Sequence, residues 1–250
     1  LLDRYLFWIM IFFAAALVAG CGVSKKNLNS SEVHYTLGLS YLGENNPTRA
    51  LNEFLIAEEA DPANAEIQAA LAQAYHLKKA YPEAERHYLR ALQLTANDPQ
   101  FLNNLGALYL DMERWDEAIR TFDQAASNLL FTRSEVALTG KGFAYFKKGN
   151  FLEAVTAFKK ALVKNPNFTQ ARFRLAETYY VLDNPDLAID EYRKILVITP
   201  DYPLAHYKLA LAYVKNRQKD KALSSFREVI RLAPDSEWGK LSTDYLGILK

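Results

Sequence analysis

Few side chains in these 250 residues are placed to do covalent chemistry. Cys21 is the one cysteine, which excludes an internal disulfide, and a thiolate metal site would need several such ligands within reach. Four roles remain for it: nucleophile, buried filler, intermolecular bridge or modification site. The four histidines, His34, His76, His87 and His206, include no pair at the spacing of a helical metal site. His34 and His206 are expected to serve packing. Acidic pairs such as Glu58 and Glu59, or Asp116 and Glu117, are expected on solvated helix faces. No glycine loop suited to a phosphate is present, and a formal net charge of +1 gives no electrostatic case for nucleic acid. No catalytic, cofactor-binding or metal-binding residue is therefore assigned, no small-molecule substrate is expected, and the chain is expected not to be an enzyme.

The neighbours of Cys21 separate its four roles. Every residue from Tyr5 to Ala19 is apolar or aromatic, a run of 15 that follows Arg4 and precedes Gly20, Cys21 and Gly22. That is the length of a signal-peptide core, whereas a bilayer-spanning helix needs about 20 residues. The segment Val18, Ala19, Gly20, Cys21 resembles the lipobox of bacterial lipoproteins, although Val18 stands where that family prefers leucine. The resemblance implies that residues 1–20 are a signal peptide, that Cys21 becomes the lipidated amino terminus, and that residues 21–30 act as a tether. Gly22 stands where an aspartate would resemble an inner-membrane retention signal, so the expected location is the outer membrane, lipid-anchored and facing the periplasm. An uncleaved anchor helix ending near Cys21 remains open.

The remainder of the chain is periodic. Tyr41, Tyr75, Tyr109, Tyr145, Tyr179 and Tyr213 recur at steps of 34, 34, 36, 34 and 34. Ala50, Ala84, Ala118, Ala154, Ala188 and Ala222 recur at the same steps, each followed four residues later by Phe or Tyr. A small residue precedes each tyrosine by three: Gly38, Ala72, Gly106, Gly142, Ala176 or Ala210. Antiparallel helices that cross closely need such small contacts, and the aromatics fill the space between. The pattern resembles the tetratricopeptide repeat, a helix–turn–helix unit of about 34 residues. It implies an all-α fold, a right-handed superhelical solenoid of six repeats (31–64, 65–98, 99–134, 135–168, 169–202 and 203–236) with a capping helix at 237–250. The second repeat has Ala96 where four others have proline (Pro62, Pro166, Pro200 and Pro234), so a longer link is expected there, with Asp98 as an N-cap.

In that family the first helices line a concave groove at the second, fifth, ninth, twelfth and thirteenth positions. Carried onto this sequence, those positions give Tyr35, Leu39 and Leu42 in repeat one; Phe143 and Phe146 in repeat four; Phe173 and Tyr180 in repeat five; and Tyr207, Leu211 and Val214 in repeat six. Gln73, His76, Asn103 and Asp111 make the middle more polar. The lysines with which some members hold a terminal carboxylate are absent at the second and fifth positions. The groove is thus expected to take an apolar or amphipathic protein segment. The lipobox, the six repeats and "LLFTRSEVA" in the enlarged link of repeat three together resemble the type IV pilus biogenesis lipoproteins called pilotins. That resemblance implies binding of a secretin subunit and promotion of its membrane targeting and multimerisation. A tetratricopeptide scaffold that recruits or regulates peptidoglycan or other envelope enzymes is the alternative.

Overall fold

The computed structural model describes residues 25–249, with side chains from Ser30 onward. The expected signal peptide and Cys21 lie outside the described residues. Within them the fold is all-α: thirteen helices and no strand. The chain divides after Leu94 into two compact units. The first holds α1 (Lys25–Gly43), α2 (Pro47–Ala60), α3 (Ala65–Leu77) and α4 (Tyr81–Leu94). The second holds α5 (Pro99–Asp111), α6 (Trp115–Ser127), α7 (Ser134–Lys148), α8 (Phe151–Lys164), α9 (Thr169–Val181), α10 (Pro185–Ile198), α11 (Pro203–Lys215), α12 (Lys219–Leu232) and α13 (Glu237–Leu249).

Each hairpin is built by the same local chemistry. The first helix ends with one residue in the left-handed region: Asn45, Lys79, Glu113, Gly149, Asp183 and Arg217, with φ between 56° and 86°. These positions step along the chain as the repeat tyrosines do. In each case the next backbone N–H donates to the tyrosine carbonyl, from Asn46 to Tyr41 at 2.8 Å through Gln218 to Tyr213 at 2.9 Å. The carbonyls left over at a helix end are thereby satisfied. Prolines at the start of α2, α5, α10 and α11 supply a preset φ where no intrahelical N–H is needed.

Packing explains the small residues. A Cβ placed on Gly106 would lie 2.9 Å from the Phe122 ring, and one on Gly142 would lie 2.6 Å from Phe158; Gly38 stands in the same relation to Phe54. The buried alanines of the second helices, such as Ala50, Ala84 and Ala154, complete these crossings. In the second unit α13 packs on α11 and α12. Its Tyr245 stacks on Phe226 at 4.9 Å, and Trp238 lies 5.1 Å from Tyr207. Gly239 has no room for a side chain because the Ala233 and Pro234 carbonyls fill the space.

Two links depart from the regular repeat. Between α4 and α5, Ala96 and Asn97 both take positive φ (49° and 70°), and Asp98 accepts from the Gln100 and Phe101 amides at 2.7 and 3.3 Å. Between α6 and α7, Phe131 is buried while Leu129 and Leu130 are 99% and 88% exposed. The start of the array also differs from expectation. α1 begins at Lys25, so most of the stretch read as a tether is helical. No Pro or Gly lies between Lys25 and Ser31 to stop it, and the buried Ser31 hydroxyl donates to the Ala57 carbonyl at 3.0 Å, tying α1 to α2.

Candidate functional site

The expected groove residues fall into two groups, according to their place in the repeat. Tyr35, Phe173 and Tyr207 hold the fifth position, which points toward the partner helix of the same hairpin. Tyr35 meets Phe54 at 6.0 Å, Phe173 meets Tyr192 at 5.6 Å, and Tyr207 meets Phe226 at 6.0 Å. Phe173 and Tyr207 are only 8% and 7% exposed. They are core residues, which corrects their assignment to the groove. An aromatic there gains more by filling the hairpin than by facing a ligand. Tyr35 is half-buried, and burial followed by the nearby Glu66 charge pushes its hydroxyl above the ordinary range.

The ninth and twelfth positions behave differently. In the first unit Leu39 is exposed and Leu42 half-buried on α1. In the second unit Phe143, Phe146, Tyr180, Leu211 and Val214 are all half-buried. Phe146, Tyr180 and Leu211, from three successive first helices, share one cavity of about 290 Å³ with Glu177, Val181, Tyr192 and Lys208. Phe143 stacks beside Phe146, with centroids 6.5 Å apart and planes 9° from parallel.

This face is less bare than its apolar residues suggest. The Arg174 guanidinium lies 4.4 Å over the Phe143 ring, and the Lys147 ammonium lies 6.0 Å from the same ring. Arg174 and Lys208 both pair with Glu177, at 2.8 and 3.3 Å. Lys215 sits 4.6 Å over Tyr180, donates to the Tyr180 carbonyl at 2.8 Å and pairs with Asp183 at 2.8 Å. Cations on aromatic faces are attracted by the ring quadrupole, so each one covers part of an apolar side chain. The sequence reading assigned none of these cations to the groove. One signal was present: Arg174 and Lys208 share a repeat position, and Lys147 and Lys215 share another.

The remaining polar residues serve the repeats themselves. His34 pairs with Glu53 at 2.6 Å, and His206 bonds the Pro200 carbonyl at 2.8 Å, so both do more than pack. Gln68 and Arg172, at the same repeat position as these histidines, likewise bond the carbonyls of Pro62 and Pro166. Gln73 is exposed, and the half-buried His76 meets Tyr81 edge-on at 6.1 Å. Asn103 is half-buried with its Oδ1 out of reach of any donor among the described residues.

Helix pairs closed by left-handed turns, with small residues under aromatic ones, define a tetratricopeptide array. Comparison with known proteins agrees: the Tetratricopeptide repeat family matches residues 35–100 and 140–203, and related repeat profiles match 87–120 and 203–236. The chain belongs to the tetratricopeptide-repeat family. Among individual proteins it is similar to the Type IV pilus assembly protein PilF of Pseudomonas aeruginosa, 24% identical over 180 residues, which cover 68% of this chain and 71% of that one. Its fold matches a solved structure of Pseudomonas aeruginosa PilF with a TM-score of 0.74 and 22% identity, covering 88% of this chain and all of that one. It also matches the crystal structure of PilW, described as a widely conserved type IV pilus biogenesis factor, with a TM-score of 0.78 and 20% identity, over 85% and 98% of the two chains.

Proposed function

We propose that this chain is a protein-binding component of type IV pilus biogenesis that works without bond-making chemistry. The observation that carries the reading is the 180-residue similarity to a type IV pilus assembly protein. The array offers a physical means, since half-buried apolar residues at the ninth and twelfth positions form faces where a protein segment can dock. In this reading the partner is the secretin subunit, the first docking surface is Leu39 and Leu42, and Cys21 carries lipid that holds the array at the periplasmic side of the outer membrane. Binding there would bring the secretin subunit to the membrane and promote its multimerisation.

The test is crosslinking of the lipidated protein in its own envelope, followed by identification of what it holds. Recovery of the secretin subunit, with loss of its heat-resistant multimer when the gene is deleted, is expected. Carboxylates at two docking positions, Leu39→Asp with Leu42→Asp, should abolish that crosslink while leaving helicity unchanged. Leu42 packs against the first unit's core, so the pair should melt somewhat lower, and Leu39→Asp alone, at an exposed position, should weaken the crosslink with melting unchanged. Recovery of peptidoglycan enzymes with an intact secretin multimer would overturn the pilus reading.

A further inference from the structure

The cavity between α7, α9 and α11 has a chemistry that a plain apolar groove would lack. At about 290 Å³ it has room for one or two side chains and is at the lower limit for a small-molecule site. Its walls are aromatic and aliphatic apart from one carboxylate, Glu177, and one ammonium, Lys208. That carboxylate is already paired twice, with Arg174 and Lys208, so the three groups carry a formal surplus of one positive charge. Both cations keep donors in reserve: their side chains are 36% and 32% exposed, and an ammonium has three N–H groups while a guanidinium has five. Lys215 is committed to Asp183 and the Tyr180 carbonyl, and so acts as a positioning residue that holds Tyr180 in the cavity wall.

We infer that this cavity receives an aromatic or large aliphatic side chain from an acidic protein segment, with a neighbouring Asp or Glu of that segment seated on Lys208 and Arg174. A basic segment would have to compete for Glu177, which is mostly buried and already paired. A neutral one would cover the surplus charge without answering it. The inference rests on the proposed protein-binding role of the first-helix faces and leaves the partner's identity aside. It places a site in the second unit that differs in chemistry from the Leu39 and Leu42 surface of the first.

The test is fluorescence anisotropy on the full chain in detergent with labelled, C-terminally amidated peptides. One carries a single phenylalanine flanked by aspartates and glutamates, one replaces the phenylalanine with alanine, and one replaces the acids with lysines. The acidic phenylalanine peptide should bind, and the alanine version should bind about tenfold more weakly. Lys208→Ala should weaken the acidic peptide about threefold and flatten its salt dependence, while Lys208→Arg restores both. Leu39→Asp with Leu42→Asp should change nothing here. Equal binding of the lysine peptide, no effect of Lys208→Ala, or a requirement for a free terminal carboxylate would each overturn the inference. If Lys208→Ala does not fold, the acidic and basic peptides on the unmodified chain still decide it. Failure of the peptides with the secretin crosslink intact sinks this inference alone, whereas peptide binding without that crosslink sinks only the pilus reading.

Discussion

A single backbone angle, repeated six times, shows how residue type and geometry trade against each other in this chain. The left-handed residue that closes each hairpin is glycine only at Gly149. Asn45 and Asp183 are short polar types that tolerate the conformation, but Lys79, Glu113 and Arg217 are not. A non-glycine residue there costs about 1–2 kcal/mol, against which glycine loses roughly 0.4–1 kcal/mol through the freedom of its unfolded chain. Glu113→Gly should therefore stabilise the second unit by about 0.5 kcal/mol, and Gly149→Ala should destabilise it by about 1 kcal/mol. Urea midpoints at constant slope would show both changes; equal midpoints for the two variants would mean that the turns carry no strain. Residue patterns alone located the tyrosines whose carbonyls these turns satisfy. They could not locate the left-handed residue, because five of the six are not glycine and nothing in their types marks them as a set.

At the scale of the helix pair, the fourth repeat position does work that the sequence did not reveal. His34, Gln68 and Arg172 each reach a side chain nineteen residues on, in the second helix of the same hairpin: Glu53, His87 and Glu191. Gln68, Arg172 and His206 also bond a carbonyl of the preceding proline link. The position is legible only after folding, because a histidine, a glutamine and an arginine share no class except the ability to donate. Arg172 and Glu191 are both mostly buried, so Arg172→Ala should destabilise by about 3 kcal/mol. Arg172→Gln, which borrows the solution of the second repeat, should lose less in the same denaturant titration; equal losses would mean that the proline bond contributes nothing. The first unit adds a pH dependence to the same device. Gln68 donates to Glu58 at 2.8 Å and to Pro62, which leaves its oxygen to accept from His87 Nδ1 at 2.8 Å, while Arg86 faces His87 Nε2 at 3.1 Å. That arrangement suits a neutral imidazole. Burial, opposed by Glu58 and Glu83 and aided by Arg86, holds His87 below its ordinary value of 6.5. The unfolded chain therefore takes up a proton below 6.5 that the native one refuses, and stability contributed above that pH falls as the solution is acidified toward the folded value. The melting temperature of the parent should drop more steeply between about pH 7.5 and 5 than that of His87→Gln; parallel curves would remove His87 as the cause.

For the whole molecule, what the sequence could specify was set by periodicity, and what it could not was set by contacts between repeats. Small, aromatic and alanine positions recur because every hairpin solves the same packing problem, so the array and its departure near Ala96 were both readable. For Arg174 and Lys215, the cations over Phe143 and Tyr180, the repeat position was readable but the ring each covers was not, since that ring belongs to the preceding repeat. Under the proposed lipidation of Cys21, the reach from the anchor to the array depends on how many residues lie between them. With α1 beginning at Lys25, three residues separate it from Cys21, which can span about 10 Å at most. Lipidation at Cys21 would therefore hold the start of α1 close to the headgroups, with Leu39 and Leu42 about 20–25 Å further along the same helix. Two or three acyl chains, at about 0.8 kcal/mol per buried methylene, exceed what any loose surface contact could supply. Cys21→Ser should accordingly move the protein from the membrane fraction to the soluble periplasm with its melting unchanged. Retention of that variant in the membrane would instead assign the anchor to the apolar run from Tyr5 to Ala19 as an uncleaved helix, and the thiol would lose its role as an attachment point.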